Sequence, residues 1–302
     1  MPARRTSTTR RHSRLATLAL LAVTISWGST FFLIKDLLER IPASDFLALR
    51  FSLAAIVLFV VAPGAVARMS REARRHGVLL GLVYGIAQLL QTVGLAHTSA
   101  SVSGFITGMY VVATPVIGGL ILRERVPAVV WAAVALATVG LGVLSLTGFS
   151  LGYGETLTLL AALLYGVHIV GLGAWSTTAD AIGLSLLQMI VVAFVCLLPT
   201  VHDGIVLPHR LGDWAAVLYM AVVCAALAML AQTWAQAHLP AARAAIVMTM
   251  EPVFAAGFAV VFTAETLSWR MVIGGGLVLG AMYVVELSPR RHVEAQVPHL
   301  TQ

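Results

Sequence analysis

The sequence predicts an all-α membrane fold, with ten transmembrane helices arranged as two inverted five-helix repeats. Three observations predict it. The 302 residues are 59% hydrophobic and only 11% charged, with a mean hydropathy of +0.93. Soluble domains carry roughly 25% charged residues, so no water-soluble core absorbs this much apolar surface. The apolar residues fall in long uncharged runs near the length, about 20 residues, that a helix needs to cross a bilayer. Finally, the chain writes one pattern twice, "LLQTVGLAHTSA" from Leu89 and "LAQTWAQAHLPA" from Leu230. Gln91/Gln232, Thr92/Thr233, Ala96/Ala237, His97/His238 and Ala100/Ala241 are all 141 residues apart, as are Glu124 and Glu265.

A basic tail, 1–14, precedes the first apolar run, 15–35. "TRRHSRLATLALLAV" has the basic-then-apolar form of an export signal, but no small-x-small cleavage site follows. The run continues as "TISWGSTFFLI", so it reads as an uncleaved first helix. Charges, prolines and polar clusters then delimit the runs 45–67, 77–96, 101–122 and 127–147, completing a first repeat over 15–147. The second repeat, 148–287, contains the runs 155–174, 183–201, 214–236, 242–263 and 270–287, and a tail, 288–302, follows. Short connections favour antiparallel neighbours.

Basic residues orient the helices. With the N-terminus inside, Arg4, Arg5, Arg10, Arg11 and Arg14, the Arg68–Arg75 cluster, Arg123, Arg125, Arg243, Arg290 and Arg291 all fall on the cytoplasmic side. Only Lys35, Arg40, Arg210 and Arg270 fall outside, and Arg50 lies within the second span. This asymmetry places both termini in the cytoplasm. The same distribution explains the net charge of +6 without nucleic acid, because the arginines cluster between apolar runs. Cys196 and Cys224 lie inside spans, where packing is expected rather than a disulfide.

The two Gln-Thr-x₄-His copies lie in the third and eighth spans. An odd separation of five threads the second copy in the opposite sense, so the halves are related by a pseudo-two-fold axis in the membrane plane. That symmetry supplies two near-equivalent conformations, one open to each side.

Longer stretches resemble a known family. "QTWAQAHLPAARAAIVMTMEPVFAAGFAVVFTAETLSWRMVIGGGLVLGAMYVV" resembles the second repeat of EamA-domain proteins of the drug/metabolite transporter superfamily. Its apolar helix carries Pro252, the pair Ala264-Glu265 follows, and the last helix is Gly-rich. "HTSASVSGFITGMYVVATPVIGGLILRERVPAVVWAAVALATVGLGVLSL" resembles the corresponding first-half segment, and "ISWGSTFFLIK" the family's first helix. The halves depart from one another at mid-membrane, where Tyr110 stands opposite Glu251 and Val111 opposite Pro252. The resemblance implies a ten-helix carrier of small metabolites in a bacterial inner membrane, often an exporter of amino acids or drugs, with substrate held between the halves.

Glu251 is the strongest single candidate for the chemistry. A charged carboxylate deep in a span costs at least about 2.5 kcal/mol, so it is expected either to face a cavity, as a proton-coupling group or partner of a substrate amine, or to hydrogen-bond a neighbouring helix. Pro252 removes a helix hydrogen bond and is expected to kink the ninth helix as a hinge. Arg50 is expected to snorkel, to pair with Asp45 or Asp36, or to meet a substrate carboxylate. His168 shares a helical face with Tyr165 and Leu172, and Trp27 is deep rather than interfacial; each is a candidate for cavity lining or for packing. Gln88 and Gln91 share a face with Tyr84, and Gln232 shares one with Gln236. Amides so placed either glue helices together or line a cavity; the duplication of Gln91 as Gln232 favours a structural role common to both halves. Tyr110 is a further lining candidate. Glu124 and Glu265, beside arginines at helix ends, read as loop anchors. Glycines four apart at Gly77, Gly81 and Gly85, at Gly104 and Gly108, and at Gly276 and Gly280 allow close helix approach or a homodimer face.

The chain has no Walker Gly-x₄-Gly-Lys segment and no His-Glu-x-x-His cluster, so neither direct ATP coupling nor a membrane metalloenzyme is indicated. No catalytic residue, cofactor or metal ion is expected. The reading is a secondary transporter moving an amino acid or amphipathic amine by alternating access, outward in the sense the resemblance implies and driven by protons or exchange. The alternative is a flippase or accessory subunit for a lipid-linked substrate, which would call for basic residues near the outer leaflet.

Overall fold

The computed structural model describes residues 3–122, 127–145, 152–202, 204–239, 247–248, 250–263 and 265–287. The described chain is helical, with no strand among these residues. In order the helices are α1 (Ala3–Leu37), α2 (Ala43–Val61), the short α3 (Ala65–Arg68), α4 (Arg71–Ala96), α5 (Ala100–Gly108), α6 (Tyr110–Leu122) and α7 (Ala128–Ser145). There follow α8 (Tyr153–Trp175), α9 (Ala181–Leu197), α10 (Leu211–Ala221), α11 (Ala228–Gln236), α12 (Glu251–Phe262) and α13 (Trp269–Leu287). Seven helical stretches among the described residues are long and apolar enough to cross a membrane, and three shorter apolar helices accompany them. Glu124, Arg123, Arg125, Arg243, Arg290 and Arg291 lie outside the described residues.

Local chemistry sets the boundaries. Pro63-Gly64 closes α2 earlier than the apolar run suggests, and Ser70 caps α4 by accepting from the Ala73 amide at 3.0 Å. Ser99 caps α5 in the same way through the Val102 amide. Lys35 satisfies the last carbonyls of α4, donating to Leu95, Ala96 and Thr98 oxygens at 2.6–3.2 Å. Arg40 binds Asp36 and Asp213, tying the turn after α1 to the start of α10. Those carboxylates, Asp36 foremost, hold the Arg40 guanidinium well above its ordinary range. Glu265 acts as the expected anchor, accepting from the Ala100 and Ser101 amides and the Ser101 hydroxyl at the start of α5.

Large apolar side chains such as Leu18, Phe59, Leu79, Trp131, Phe194 and Phe262 are exposed. That much bare apolar surface fits a protein covered by lipid. Inside, α4 packs on α8 and α9, α2 on α9, α7 on α13, and α12 on α1 and α5. The Gly77, Gly81 and Gly85 ridge meets Leu187, Val191 and Val195 of α9, so it serves packing within the chain and not a dimer face. Thr24, Ser26, Ser29 and Thr30 of α1 return their hydroxyls to carbonyls three residues back, which keeps a polar helix compatible with burial.

Two helices are interrupted where the sequence suggested continuity. The fourth span breaks at Met109, between α5 and α6. Met250, 141 residues later, is the N-cap of α12. Pro252 therefore lies in the first turn of α12, where its missing N–H has no helical acceptor to lose. The expected mid-helix kink at Pro252 is thus replaced by a helix start. In the eighth span, residues Val222–Leu227 form a π turn joining α10 to α11.

Candidate functional site

The eight residues singled out as binding or coupling candidates meet in one place. Trp27, Arg50, Gln88, Gln91, Tyr110, His168, Gln232 and Glu251 all line a single cavity of about 50 Å³. Pro252 does not line it; its ring lies against Gly108, where a methyl group would approach Pro252 Cγ to 3.1 Å and Met282 Cε to 2.5 Å. At Gly104 a methyl would fall 2.6 Å from Ala255 Cβ. These two glycines let α5 cross α12 closely, and the crossing brings the paired breaks at Met109 and Met250 together.

The crossing sets the first contact of the site. Tyr110 opens α6, Glu251 opens α12, and the Tyr110 hydroxyl donates to Glu251 Oε2 at 2.8 Å. Both side chains are buried, at 3% and 5% exposure. A buried carboxylate held by one phenol retains an oxygen for another partner.

Arg50 sits across the same cavity at 2% exposure. It neither snorkels nor pairs. Its Nε donates to the Met220 carbonyl at 3.3 Å, and its guanidinium lies 5.1 Å from the Phe51 ring centroid. Asp36 is taken by Arg40, and Asp45 accepts from the Val206 amide and the Ser44 hydroxyl. The π turn has a part here, because it frees carbonyls from the regular ladder: within it, the Cys224 carbonyl accepts from Trp27 Nε1 at 2.9 Å.

The rest of the lining is aromatic and amide-rich. His168 Nε2 is 2.7 Å from Gln188 Oε1, and Gln188 Nε2 donates to the Leu184 carbonyl. The His168 ring lies 4.9 Å from Tyr84, which in turn lies 5.6 Å from Tyr165. Tyr165 donates to Gln91 Oε1 at 2.7 Å, and Gln91 Nε2 donates to Thr107 Oγ1 at 2.9 Å. Gln91 is thereby fixed on both ends of its amide. Gln232, expected to share that structural role, differs: its Oε1 is buried with no hydrogen-bond partner.

Sequence reasoning overlooked Thr30, Thr107 and Met248 in the lining, and Gln188 behind His168. No candidate's counterpart at the offset of 141 is one of these residues; Thr107 and Met248 are matched only to each other. The counterpart of Gln188 is Leu47.

Comparisons with known proteins give the family. The profile of the EamA-like transporter family matches residues 14–146 and 152–287, two copies that together span most of the chain. An "Uncharacterized transporter" of Archaeoglobus fulgidus (strain ATCC 49558 / DSM 4304 / JCM 9628 / NBRC 100126 / VC-16) is 29% identical over 273 residues, covering 90% of this chain and 86% of the relative. A solved crystal structure superposes with a TM-score of 0.65 at 18% identity, over 89% of this chain and 96% of that one. At that identity the likeness shows a shared fold.

Proposed function

Because the chain belongs to the EamA-like transporter family, we propose that it is a secondary transporter of a small amine-bearing metabolite, an amino acid or an amphipathic amine. Ten helices in two inverted halves carry it by alternating access. Both termini lie in the cytoplasm, the membrane is a bacterial inner membrane, and the direction is outward, driven by proton movement or by exchange.

One observation carries the substrate class: a cation, Arg50, and a carboxyl, Glu251, line the same buried cavity and make no ion pair with each other. Two opposite charges left apart in a dry site are costly unless a ligand joins them. A zwitterion does so, its carboxylate on Arg50 and its ammonium on Glu251. An amphipathic amine would use Glu251 and the aromatic wall alone.

The packing supports two exchangeable halves. α1 lies on α12 as α8 lies on α6, and α4 lies on α8 as α11 lies on α1. The pairs α2 with α9 and α7 with α13 each join a helix to its own counterpart. Such a pattern is what a two-fold axis produces, and five crossings per half make the relation inverted. For a flippase, free outward cations would be expected; Lys35 and Arg40 instead bind carbonyls and carboxylates within the chain.

The test is counterflow in proteoliposomes against a panel of amino acids and amines, repeated with Glu251→Gln at several pH values. Substrate exchange that depends on pH in the native chain, and loses that dependence in the variant, supports proton coupling at Glu251. Exchange unaltered by the substitution at every pH removes Glu251 from the mechanism. A reporter placed in the 148–154 connection should read periplasmic; a cytoplasmic signal there contradicts the inverted arrangement.

A further inference from the structure

Resting on the carrier reading above, we propose that Gln232 selects the substrate's head group by accepting a hydrogen bond from its N–H, whereas its counterpart Gln91 has no such role. Four buried side-chain atoms among the described residues have no hydrogen-bond partner: Ser103 Oγ, Ser176 Oγ, Gln236 Oε1 and Gln232 Oε1. Only Gln232 lines the cavity. It is 1% exposed, so bulk water does not serve it, and a buried acceptor left unpaired in a native fold calls for an explanation.

The reason it is unpaired can be read from the chain. Gln91 is satisfied by Thr107 and Tyr165. At the offset of 141, Thr107, which accepts from the Gln91 amide nitrogen, becomes Met248, which has no hydroxyl. The residue matching Tyr165 in the other half is Thr24, whose hydroxyl is spent on the Leu21 carbonyl at 2.8 Å. The donor to the amide oxygen is thus lost in one copy only. Gln232 lines the same cavity as Glu251 and Arg50.

The ligand chemistry follows from what each group requires. Glu251 attracts any cationic head, with or without hydrogens. An amide oxygen needs a donor hydrogen. Together they favour a primary ammonium over a quaternary one of equal charge, in a substrate whose carboxylate meets Arg50. The selected class is therefore α-amino acids over their N-trimethyl betaines.

The experiment uses the full chain in proteoliposomes. Alanine, leucine and phenylalanine, each beside its N,N,N-trimethyl analogue, compete for counterflow. The native chain should prefer the amino acid by about ten- to a hundredfold, the range expected for one buried unpaired acceptor. Gln232→Met, close in length and lacking the acceptor, should bring the ratio to within about twofold. Gln232→Glu, which keeps an oxygen, should restore the preference. Gln91→Met should alter uptake of both analogues alike and lower the melting temperature. Should Gln232→Met fail to assemble, Gln232→Asn withdraws the oxygen by one methylene and carries the same expectation. A preference that survives in Gln232→Met reflects head-group size and overturns the proposal while leaving the carrier intact. If none of the panel exchanges at all, the zwitterion reading fails and this inference fails with it.

Discussion

Gln91 and Gln232 stand 141 residues apart in matching spans, yet one is bound at both ends of its amide and the other has an oxygen with no partner. The contrast extends around the cavity. Tyr110 faces Glu251 across the crossing of α5 and α12, Trp27 is matched by His168, and Arg50 has only Val191 as its counterpart. Tyr84 is matched by Ala225, inside the π turn that α4 does not have. What the halves share is backbone: paired interruptions at Met109 and Met250 and equivalent helix contacts. What they do not share is the polar lining. Duplication therefore supplies the scaffold, and divergence at a handful of positions supplies a site with one cation, one carboxyl and one free acceptor.

Substitutions at matched positions sharpen or break this comparison. The largest effect is expected at Tyr110 and Glu251. Glu251→Gln should reduce transport on the order of a hundredfold, since it removes a charged hydrogen-bonding group, while Tyr110→Phe should cost only several-fold. Equal losses from liposome flux assays would mean that the pair acts as a structural clasp. Next comes Arg50→Gln, for which the account expects a KM for zwitterions about tenfold higher, with simple amines little changed. A uniform loss for both classes would place Arg50 in folding instead of recognition.

Stability should divide the two glutamines in the opposite sense from activity. Gln91→Leu leaves the Tyr165 and Thr107 hydroxyls without their partner and should lower stability by about 1–3 kcal/mol. Gln232→Leu removes an unpaired oxygen and should leave the melting temperature unchanged or raised. Thermal unfolding in detergent measures both, and a larger drop for Gln232 would contradict the division. A modest loss is expected at Trp27→Phe, which gives up one hydrogen bond to the Cys224 carbonyl, about 0.5–1.5 kcal/mol.

Much of the site was legible in the sequence because the membrane makes polar residues conspicuous. Glu251, Arg50, His168, Gln88, Gln91 and Gln232 stand out in apolar runs and line the cavity, whereas Gln236 does not. Partnerships were not legible. Arg50 offered Asp45 and Asp36 by proximity along the chain, but Asp36 is engaged by Arg40 four residues on and Asp45 by the distant Val206 amide. Pro252 looked like a kink because periodicity does not reveal where a helix starts inside an apolar run. The π turn at Val222–Leu227 leaves no mark in composition, since every residue there is small or aliphatic. The free oxygen of Gln232 depends on Thr24, a position that draws attention only when the offset is applied to Tyr165, the donor to Gln91.

The most direct measurement of the central claim is access to the cavity from each side of the membrane. In a background with Cys196 and Cys224 replaced by alanine, a single cysteine at Ile34 in the lining is probed with a membrane-impermeant thiol reagent, in right-side-out and in inverted vesicles. The account predicts labelling from both sides, slowed from both by a transported amino acid. Labelling confined to one side under every substrate condition would contradict it.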